Sequence, residues 1–599
     1  MQPAYKEPQH HVLPRSIGRI ASVTGSKAIL LLDTTHEGDP KNKADRPEMG
    51  MLLAIDTGAS TVLATVAALS VPVPAHGNEQ EIRIAELGLV GELRRDQEGR
   101  PVHFQRGATN YPSLGDRARF ATKYELQLTY TGNSDTSVRI GSILQDSTIP
   151  AMIRIDDLLG KHFAILGTTG TGKSCSTALI LRSILDKNPN AHIVLLDPHN
   201  EYATAFGNRA EVISPRTLQL PLWLLNFEEA VEVLVGDTDR KGEIEILQEL
   251  IPLAKARYSA GRAQDPQKIR KNGLDGSRFT VDTPVPYRMA DMLSQIDGRM
   301  GKLENHASRL VYSRLLSRIE TVSNDPRYAF MFENANVGGD TMADILGQLF
   351  RLPANGVPVT VMQLAGFPAE VIDALVSVLC RMAFDLGLWS DGASPLLVVC
   401  EEAHRFAAAD RTAGFGPTRR ALSRIAKEGR KYGVFLGLVT QRPAELDPTI
   451  LSQCSTLFAM RLTNDRDQAI LRSAVSDTAA NLLAFLPSLG TREVIAFGEG
   501  VALPTRLRFK SLPQSRLPRS EVLRSGPGML ETDINESFLA AMVERWRGMT
   551  MHKPVPSDDM AAEMRGVSDS APLQPAQPPA APAAQGLDPD RFRLLKKPV

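Results

Sequence analysis

Residues 161–181 read KHFAILGTTGTGKSCSTALIL, and this stretch decides the fold. The apolar run from Phe163 to Leu166 predicts a buried strand, and the apolar positions between Cys175 and Leu185 predict a helix. Between them, the segment GTTGTGKS over residues 167–174 matches the phosphate-binding pattern GxxxxGK[ST] at every position. Strand, glycine loop and helix follow one another in the order that this loop requires. The stretch therefore predicts an α/β fold of the P-loop class.

The loop predicts a site for a nucleoside triphosphate. Its glycines allow backbone N–H groups to turn inward around an anion, and the following helix contributes the positive end of its dipole. We expect Lys173 to bridge the β- and γ-phosphates and the Ser174 hydroxyl to bind Mg²⁺, so the expected cofactors are ATP and Mg²⁺. The expected nucleotide contacts are Gly167, Thr169, Gly170, Thr171, Gly172, Lys173, Ser174 and Cys175.

Composition excludes several classes of protein. The 599 residues carry no net charge, so any nucleic-acid surface must be a local patch rather than the whole chain. The four cysteines lack the spacing of a metal site, which favours reduced thiols in a cytoplasmic protein. No apolar run reaches the length of a membrane span, and the polar start lacks the features of a signal peptide.

Changes in pattern along the chain predict its domain organisation. Short strands separated by Gly, Asp, Asn and Pro, such as YELQLTY and VRIGSIL, are typical of a small barrel. Alternating strands and helices are typical of an α/β core. The predicted segments are a flexible leader (1–15), a small β-barrel (16–148), the first half of the ATPase core (149–210), a helical insertion (211–350), the second half of the ATPase core (351–515), a C-terminal helical segment (516–551) and a disordered Pro/Ala-rich tail (552–599).

A second stretch, residues 396–404, supplies the acidic partner of the phosphate loop. The apolar strand LLVVC ends directly in Glu401 and Glu402. We expect Glu401 to support Mg²⁺ and Glu402 to accept a proton from the attacking water. The alternative is an acidic helix cap after a strand, without a catalytic role.

Two further strand ends carry polar residues. The strand from Val434 to Thr440 ends in Gln441, whose amide is suited to sensing the γ-phosphate or the attacking water. The strand from His192 to Leu196 ends in DPHNEY, and ligands bind at such carboxyl ends in doubly wound folds. We expect Asp197 to support a water or the metal, whereas the alternative is a polar turn.

Basic residues gather on a predicted helix over 418–431, where residues 420, 424, 427 and 431 share one face. Most of this face is best explained as solvated. Arg430, at the helix end, is the candidate for a finger that reaches a neighbouring subunit's ATP. Two weaker candidates are a basic cluster at 268–271, a nucleic-acid contact or a solvated loop, and a channel or interface loop over 405–420.

Taken together, these stretches resemble the HerA family of hexameric DNA translocases, in the HerA–FtsK group. The resemblance rests on LLGKHFAILGTTGTGKS, LLDPHNEY, LPLWLLNFEE, VVCEEAHRF and EGRKYGVFLGLVTQRPAELDPTILSQCSTLFAMRL, with a small barrel in front, and covers about residues 15–510. It implies a RecA-like P-loop NTPase core with an N-terminal HAS-barrel. Cys400 departs from the usual aliphatic residue before the acidic pair.

The resemblance also implies an assembly and partners. It implies a ring of six subunits with ATP at each boundary and double-stranded DNA in the channel. It places Lys161 near the nucleotide, and gives Gln441 and Arg430 the roles of sensor and trans arginine. It further implies a partner that docks on the barrel, either a NurA-like nuclease or a defence effector (a nuclease or a sirtuin-like NADase).

Three functions are therefore compared. The leading one is an ATP-driven translocase or helicase on double-stranded DNA, working in DNA-end processing or anti-phage defence. The alternative is a ring scaffold in which ATP acts as a switch that activates a partner nuclease or NADase. A small-molecule kinase is disfavoured by the long insertion, the paired glutamates and the Gln-Arg-Pro strand end.

Overall fold

The computed structural model arranges the strands of the chain in two β-sheets. It describes residues 15–519, apart from 34–45, 72–81, 133–135, 238, 263–277, 303–305, 333–338, 368, 411–415 and 476–479, together with a few positions between 540 and 547. The chain divides into two units, Met1–Met551 and His552–Val599, and the second lies outside the described residues. The predicted leader, the tail, the cluster at 268–271 and most of the segment 516–551 also fall outside them.

The first sheet is a small barrel, as predicted. Its strands are β1 (Ser16–Thr24), β2 (Lys27–Leu32), β3 (Leu52–Asp56), β4 (Ser60–Ser70), β5 (Ile84–Arg95), β6 (Pro101–Arg106) and β7 (Arg117–Phe120). They pair in the order β2-β1-β7-β3-β4-β5-β6, and antiparallel pairing of β2 with β5 closes six of them into a barrel. Buried apolar residues such as Leu30, Leu53 and Leu87 fill its interior.

The second sheet contains eleven strands among the described residues. They are β8 (Ser137–Ile143), β9 (Pro150–Arg154), β10 (His162–Leu166), β11 (His192–Asp197), β12 (Ala210–Ile213), β13 (Val359–Gln363), β14 (Leu396–Cys400), β15 (Val434–Thr440), β16 (Cys454–Ala459), β17 (Glu493–Gly498) and β18 (Thr505–Phe509). Their order is β12-β13-β11-β14-β15-β10-β16-β17-β18-β8-β9. The pairings from β12 to β16 are parallel and the remainder are antiparallel.

Helices cover both faces of this sheet and build the insertion. They are α1 (Lys123–Thr131), α2 (Ile155–Leu159), α3 (Lys173–Lys187), α4 (Phe227–Leu234), α5 (Lys241–Arg262), α6 (Met289–Met300), α7 (His306–Ser323), α8 (Ala329–Phe332), α9 (Met342–Phe350), α10 (Ala369–Trp389), α11 (Gly416–Glu428), α12 (Pro448–Leu451) and α13 (Asp465–Ala474). No described helix is both long enough and apolar enough to cross a membrane. The insertion, α4 to α9, joins the neighbouring strands β12 and β13.

The parallel strands are buried on both faces, which explains their uninterrupted apolar sequences. In β10, Phe163 and Ile165 pack in the core that contains α3, while Ala164 and Leu166 pack in the core that contains α10 and α11. Residues 163–166 of the strand thus carry no polar side chain, and the polar residues of the phosphate loop follow the end of the strand.

Two elements differ from the prediction. The segment YELQLTY, predicted as a barrel strand, lies in helix α1, because Thr122 and Glu125 form a capping box that starts a helix there. The segment VRIGSIL, also predicted in the barrel, forms β8, which pairs with β18 at residues 507–509 in the second sheet. The core therefore begins near residue 137, and this pairing, between residues far apart in sequence, has no local signal.

A buried lysine connects helix α5 of the insertion to the segment that precedes α6. The Lys255 ammonium on α5 donates hydrogen bonds to the carbonyl oxygens of Val281 (2.6 Å) and Thr283 (2.7 Å). Burial lowers its pKa from 10.5 to about 8. The folded chain therefore binds fewer protons than the unfolded chain between these two values.

We predict that stability rises with pH between about 8 and 10.5 through this group, by at most about 1.4 kcal/mol per pH unit. The variant Lys255→Met lacks this contribution, so the unfolding free energy of the wild type relative to the variant should grow between pH 8 and pH 9.5. Urea denaturation at both pH values measures it, with the exposed Lys241→Met on the same helix as control. A difference that does not change with pH would contradict the assignment.

Candidate nucleotide site

Four adjacent parallel strands end side by side and bring the predicted polar segments together. The strands β11, β14, β15 and β10 are neighbours in this order. In register, Leu196 lies opposite Cys400, and Leu166 lies opposite Thr440. The phosphate loop, Asp197, the acidic pair and Gln441 therefore follow strand ends at one edge of the sheet. This is the edge at which α/β folds of this kind bind ligands.

The phosphate loop needs glycine at three positions for two local reasons. Gly170 and Gly172 adopt positive φ angles of 79° and 99°. A Cβ atom on Gly167 would lie 2.7 Å from the Cβ of Met460, on the segment that follows β16. The loop is also fixed from outside, since the amide of Thr168 donates to the carbonyl of Arg461 at 2.9 Å.

Helix α3 begins at Lys173, and its N-terminal amides face the loop. No side chain among the described residues caps this end, since its N-cap is Gly172. Uncapped amides at a helix N-terminus are a binding site for an anion. The Lys173 ammonium reaches back over the loop to the carbonyl of Thr168 at 3.2 Å. Burial lowers the pKa of Lys173, and the charges of Glu402 and Glu401 oppose this change.

Glu401 is buried, with 4% of its surface exposed, directly after β14. The Tyr202 hydroxyl donates a hydrogen bond to its Oε2 at 2.8 Å. Burial raises the pKa of Glu401 to about 8, with a further increase from Glu402 and a decrease from Lys173. A carboxyl held at such a pKa gains strongly from a nearby cation, because the cation favours its charged form.

Glu402 has an unusual backbone and an unsatisfied oxygen. Its φ angle is 51°, a left-handed conformation that is uncommon for a non-glycine residue. Within the described residues its buried Oε2 accepts no hydrogen bond, although His404 Nδ1 lies 3.3 Å away. His199 Nε2 lies 3.6 Å from the other carboxylate oxygen. A buried oxygen without a donor is typical of a site that is completed by a ligand or a water.

Gln441 lies against the loop, as the sequence predicts for a residue at this edge. The Thr169 hydroxyl donates to its Oε1 at 2.5 Å. Just before it, the Thr440 hydroxyl contacts His404 Nδ1 at 2.9 Å and accepts from the amide of Arg442 at 3.0 Å. The chain that follows the acidic pair is thus bonded to the end of β15.

Asp197 ends β11 and is bound to the turn that follows it. Its carboxylate is fully buried and accepts hydrogen bonds from the amides of His199 (3.3 Å) and Tyr202 (2.9 Å). Burial raises its pKa. Both oxygens accept a hydrogen bond from the turn that follows β11, so Asp197 organises this turn. Its expected support of a water or the metal stays a prediction.

Two predicted residues lie at the opposite edge of the sheet. Lys161 directly precedes β10, and Arg430 lies in the turn before β15, whereas the site follows the ends of both strands. At about 3.3 Å per residue, even the five-residue β10 separates the two edges by about 16 Å. Lys161 forms an ion pair with Glu499, which lowers the pKa of that carboxyl, and Arg430 contributes to the decrease. Lys161 therefore lies away from the phosphate loop of its own chain, and its expected place near a nucleotide stays a prediction.

A pocket of about 270 Å³ opens beside the loop. Cys175 and Leu179 of α3 line one side, and Phe509, Leu512 and Leu517 line the other. Arg492 stands at its rim, and its amide donates to the carbonyl of Thr171 at 3.1 Å. The chain after β18 therefore forms a wall of the site, which the sequence analysis did not anticipate.

Two of the remaining basic candidates form ion pairs. On α11, Arg420 pairs with Glu228 at 2.6 Å, and Arg424 lies 3.8 Å from Asp385. This pairing agrees with a structural or solvated face. The proposed channel loop over 405–420 is described only partially, since residues 411–415 lie outside the described chain.

Several site residues were missed by the sequence analysis. Tyr202 and His404 lie within the quoted stretches LLDPHNEY and VVCEEAHRF, yet neither was assigned a role. A signal was present, because each lies within a few residues of a strand end that carries carboxylates. Thr440 and Arg492 had no such signal, since their contacts depend on strand pairing.

Comparison with known proteins adds independent findings. Residues 138–383 match the family model of the central domain of the helicase HerA. The chain is 28% identical over 395 residues to the probable helicase MJECL08 of Methanocaldococcus jannaschii, covering 63% of this chain and 71% of that protein. It is 26% identical over 422 residues to the DNA double-strand break repair helicase HerA of Pyrococcus furiosus, covering 65% and 72%.

Among solved structures, the fold of this chain is similar to that of the plasmid coupling protein TrwB in complex with ADP and Mg²⁺. Its TM-score is 0.41 at 16% identity, and the match covers 64% of this chain and 96% of that chain.

Proposed function

We propose that the chain is a member of the HerA family and an ATPase that drives translocation or unwinding of double-stranded DNA. One observation carries the proposal: the phosphate loop, the acidic pair and Gln441 meet at one edge of the parallel sheet. The two relatives described above are named as helicases, which supports the choice of a motor over a small-molecule kinase.

The residues of the loop fit a triphosphate with Mg²⁺. The uncapped amides of α3 and the Lys173 ammonium bind phosphate oxygens, while the Ser174 hydroxyl and the Glu401 carboxylate would hold the ion. Among the described residues no group of three or more His, Cys, Asp or Glu forms a metal cage. This agrees with Mg²⁺, which proteins usually bind through one or two side chains together with substrate phosphates and water. The ion neutralises charge on the phosphates when it is bound.

Glu402 is the proposed general base. Its Oε2 is buried without a hydrogen-bond donor, so it is available to accept a proton from the attacking water. Gln441 lies beside Thr169 of the loop, where its amide orients that water or the γ-phosphate. The pocket beside Cys175 is the proposed site of the nucleoside base, because it is largely apolar and adjoins the phosphate loop.

A homo-hexameric ring with ATP at the subunit boundaries accounts for the residues at the opposite edge. Arg430 is exposed, and it lies at the far end of β15 from the site of its own chain. A catalytic contact from Arg430 therefore requires the nucleotide of another subunit. We assign it the role of a trans finger, with Lys161 and Glu499 beside it at the same boundary. Double-stranded DNA occupies the channel of the proposed ring.

The proposed partner is a nuclease, or a defence effector such as an NADase, that docks on the small barrel. The pathway is then DNA-end processing or anti-phage defence. The second candidate function is an ATP-regulated scaffold for that partner without processive translocation. The response of ATP hydrolysis to DNA separates the two candidates.

We predict that double-stranded DNA stimulates ATP hydrolysis by the isolated protein, and that Lys173→Ala abolishes hydrolysis with or without DNA. The lysine supplies the charge that stabilises the transferred phosphoryl group. Phosphate release measures both effects, with Lys187→Ala at the other end of α3 as control. Turnover indifferent to DNA would favour the scaffold, and full hydrolysis by Lys173→Ala would refute the site.

We also predict that Arg430→Ala lowers hydrolysis by about 10³-fold, as for a lost arginine finger. Mixing this variant with Lys173→Ala should restore a fraction of the activity. In mixed oligomers, some intact phosphate loops of the first variant would then face an intact Arg430 of the second. The control is the surface variant Arg420→Ala, whose ATP hydrolysis should not rise when it is mixed with Lys173→Ala. Two inactive variants that stay inactive together, although mixed oligomers form, would show that Arg430 does not act across subunits.

A further inference from the structure

The turn from Asp197 to Tyr202, which we call the β11 turn, contacts both carboxylates of the acidic pair. Tyr202 reaches Glu401, and His199 reaches Glu402. The turn belongs to a different strand from the acidic pair, because it follows β11 whereas the glutamates follow β14. Neither residue belongs to the phosphate loop.

Burial and two hydrogen bonds hold Tyr202 in place. Its side chain is fully buried, and its hydroxyl donates to Glu401 Oε2 at 2.8 Å. Its amide donates to Asp197 Oδ2 at 2.9 Å. The hydroxyl therefore stands at a fixed distance from the end of β11, so the orientation of the Glu401 carboxylate is set by the neighbouring strand.

The β11 turn is anchored on its other side as well. Asn200 adopts a left-handed φ of 53°, and its side-chain oxygen accepts from the amide of Ala365 at 3.2 Å. Glu201 accepts through its carbonyl from the amide of Arg519 at 2.9 Å. Contacts with the segments after β13 and after β18 thus hold the turn in place against the carboxylates.

Buried carboxylates that bind a metal need a donor to fix their orientation, because a free carboxylate rotates about its last bond. The turn supplies such a donor to Glu401. For Glu402 it supplies the half-exposed imidazole of His199 at 3.6 Å, which is a longer contact. Of the two, the hydrogen bond from Tyr202 is therefore the one that carries the inference.

We propose that Tyr202 is a positioning residue for ATP hydrolysis, which aligns Glu401 toward the Mg²⁺–phosphate group, and that Asp197 acts through it by fixing its backbone. The inference rests on the proposed ATPase function. The inference gives the LLDPHNEY stretch a role. The carboxylate of Asp197 shapes the β11 turn, and the phenol of Tyr202 at the end of this turn aligns the carboxylate of Glu401.

The test is Tyr202→Phe, which removes one oxygen and leaves the ring in place. We expect kcat, or the affinity for Mg²⁺, to fall by about 10–100-fold, as for other partners of metal-binding carboxylates. Affinity for nucleotide without Mg²⁺ should stay within about twofold, since that binding depends on the loop. The matched control is Tyr130→Phe, a buried tyrosine whose hydroxyl contacts Thr505 at 3.4 Å.

A double-mutant cycle separates positioning from a structural role. If Tyr202 acts through Glu401, then Tyr202→Phe should have little further effect on Mg²⁺-dependent nucleotide binding when Glu401→Gln is already present. Additive losses would overturn the proposal. This comparison remains valid if Tyr202→Phe lowers Tm, because the substitution enters both arms of the cycle and a loss that does not depend on Glu401 cancels between them.

Failure of the two proposals can be distinguished. A wild-type protein that does not hydrolyse ATP would overturn the proposed function and this inference with it. A wild-type protein that hydrolyses ATP, with Tyr202→Phe equal to it in kcat and in Mg²⁺ dependence, would overturn the positioning role alone.

Discussion

Parallel pairing of β11, β14, β15 and β10 is the constraint on which the site depends. Parallel strands place all their carboxyl ends at one edge, so segments that lie more than 200 residues apart in sequence meet there. A single register fixes the arrangement: Leu166 opposite Thr440 places the loop beside Gln441, and Leu196 opposite Cys400 places the β11 turn beside Glu401. A one-residue slip in any pair would move the side chains of that strand to the opposite face of the sheet and so separate these residues.

The site concentrates charge where water is largely excluded. Glu401, Glu402, Asp197 and Lys173 are all buried. Burying charges in this way lowers stability unless they are paired or hydrogen-bonded. Tyr202 donates a hydrogen bond to Glu401, and the amides of the β11 turn donate to Asp197. One oxygen of Glu402 has no donor among the described residues. Strain and unsatisfied groups gathered at one point are expected of a site that is completed by its ligand.

Much of the core could be predicted from the sequence, because strands buried on both faces leave an unmistakable apolar run. The strands before Gly167, Glu401 and Gln441 were predicted close to their observed bounds for this reason. Helix α1 was wrongly predicted as a strand, although its capping box was visible in TKYE. β8 could not be placed, since its partner β18 lies some 360 residues later in the chain.

The residues of the site also differ in whether a local sequence pattern predicts them or their position depends on long-range strand pairing. Residue types and spacing identify the loop and the acidic pair, because each is a continuous motif. The position of Lys161, the anchoring role of Asp197 and the contact of Tyr202 with Glu401 depend on which strands are neighbours, and that information is not local. A residue that precedes a parallel strand, such as Arg430 before β15, lies at the edge of the sheet opposite the site. A residue that follows the strand, such as Gln441, lies at the edge that carries the site.

The most direct test is an experimental structure of the assembled protein with Mg²⁺ and a non-hydrolysable ATP analogue. The account predicts phosphates over the amides of residues 168–174, with Glu401 beside the ion and Arg430 of an adjacent protomer approaching the γ-phosphate. Phosphates bound elsewhere, or an Arg430 that reaches the nucleotide of its own chain, would contradict it.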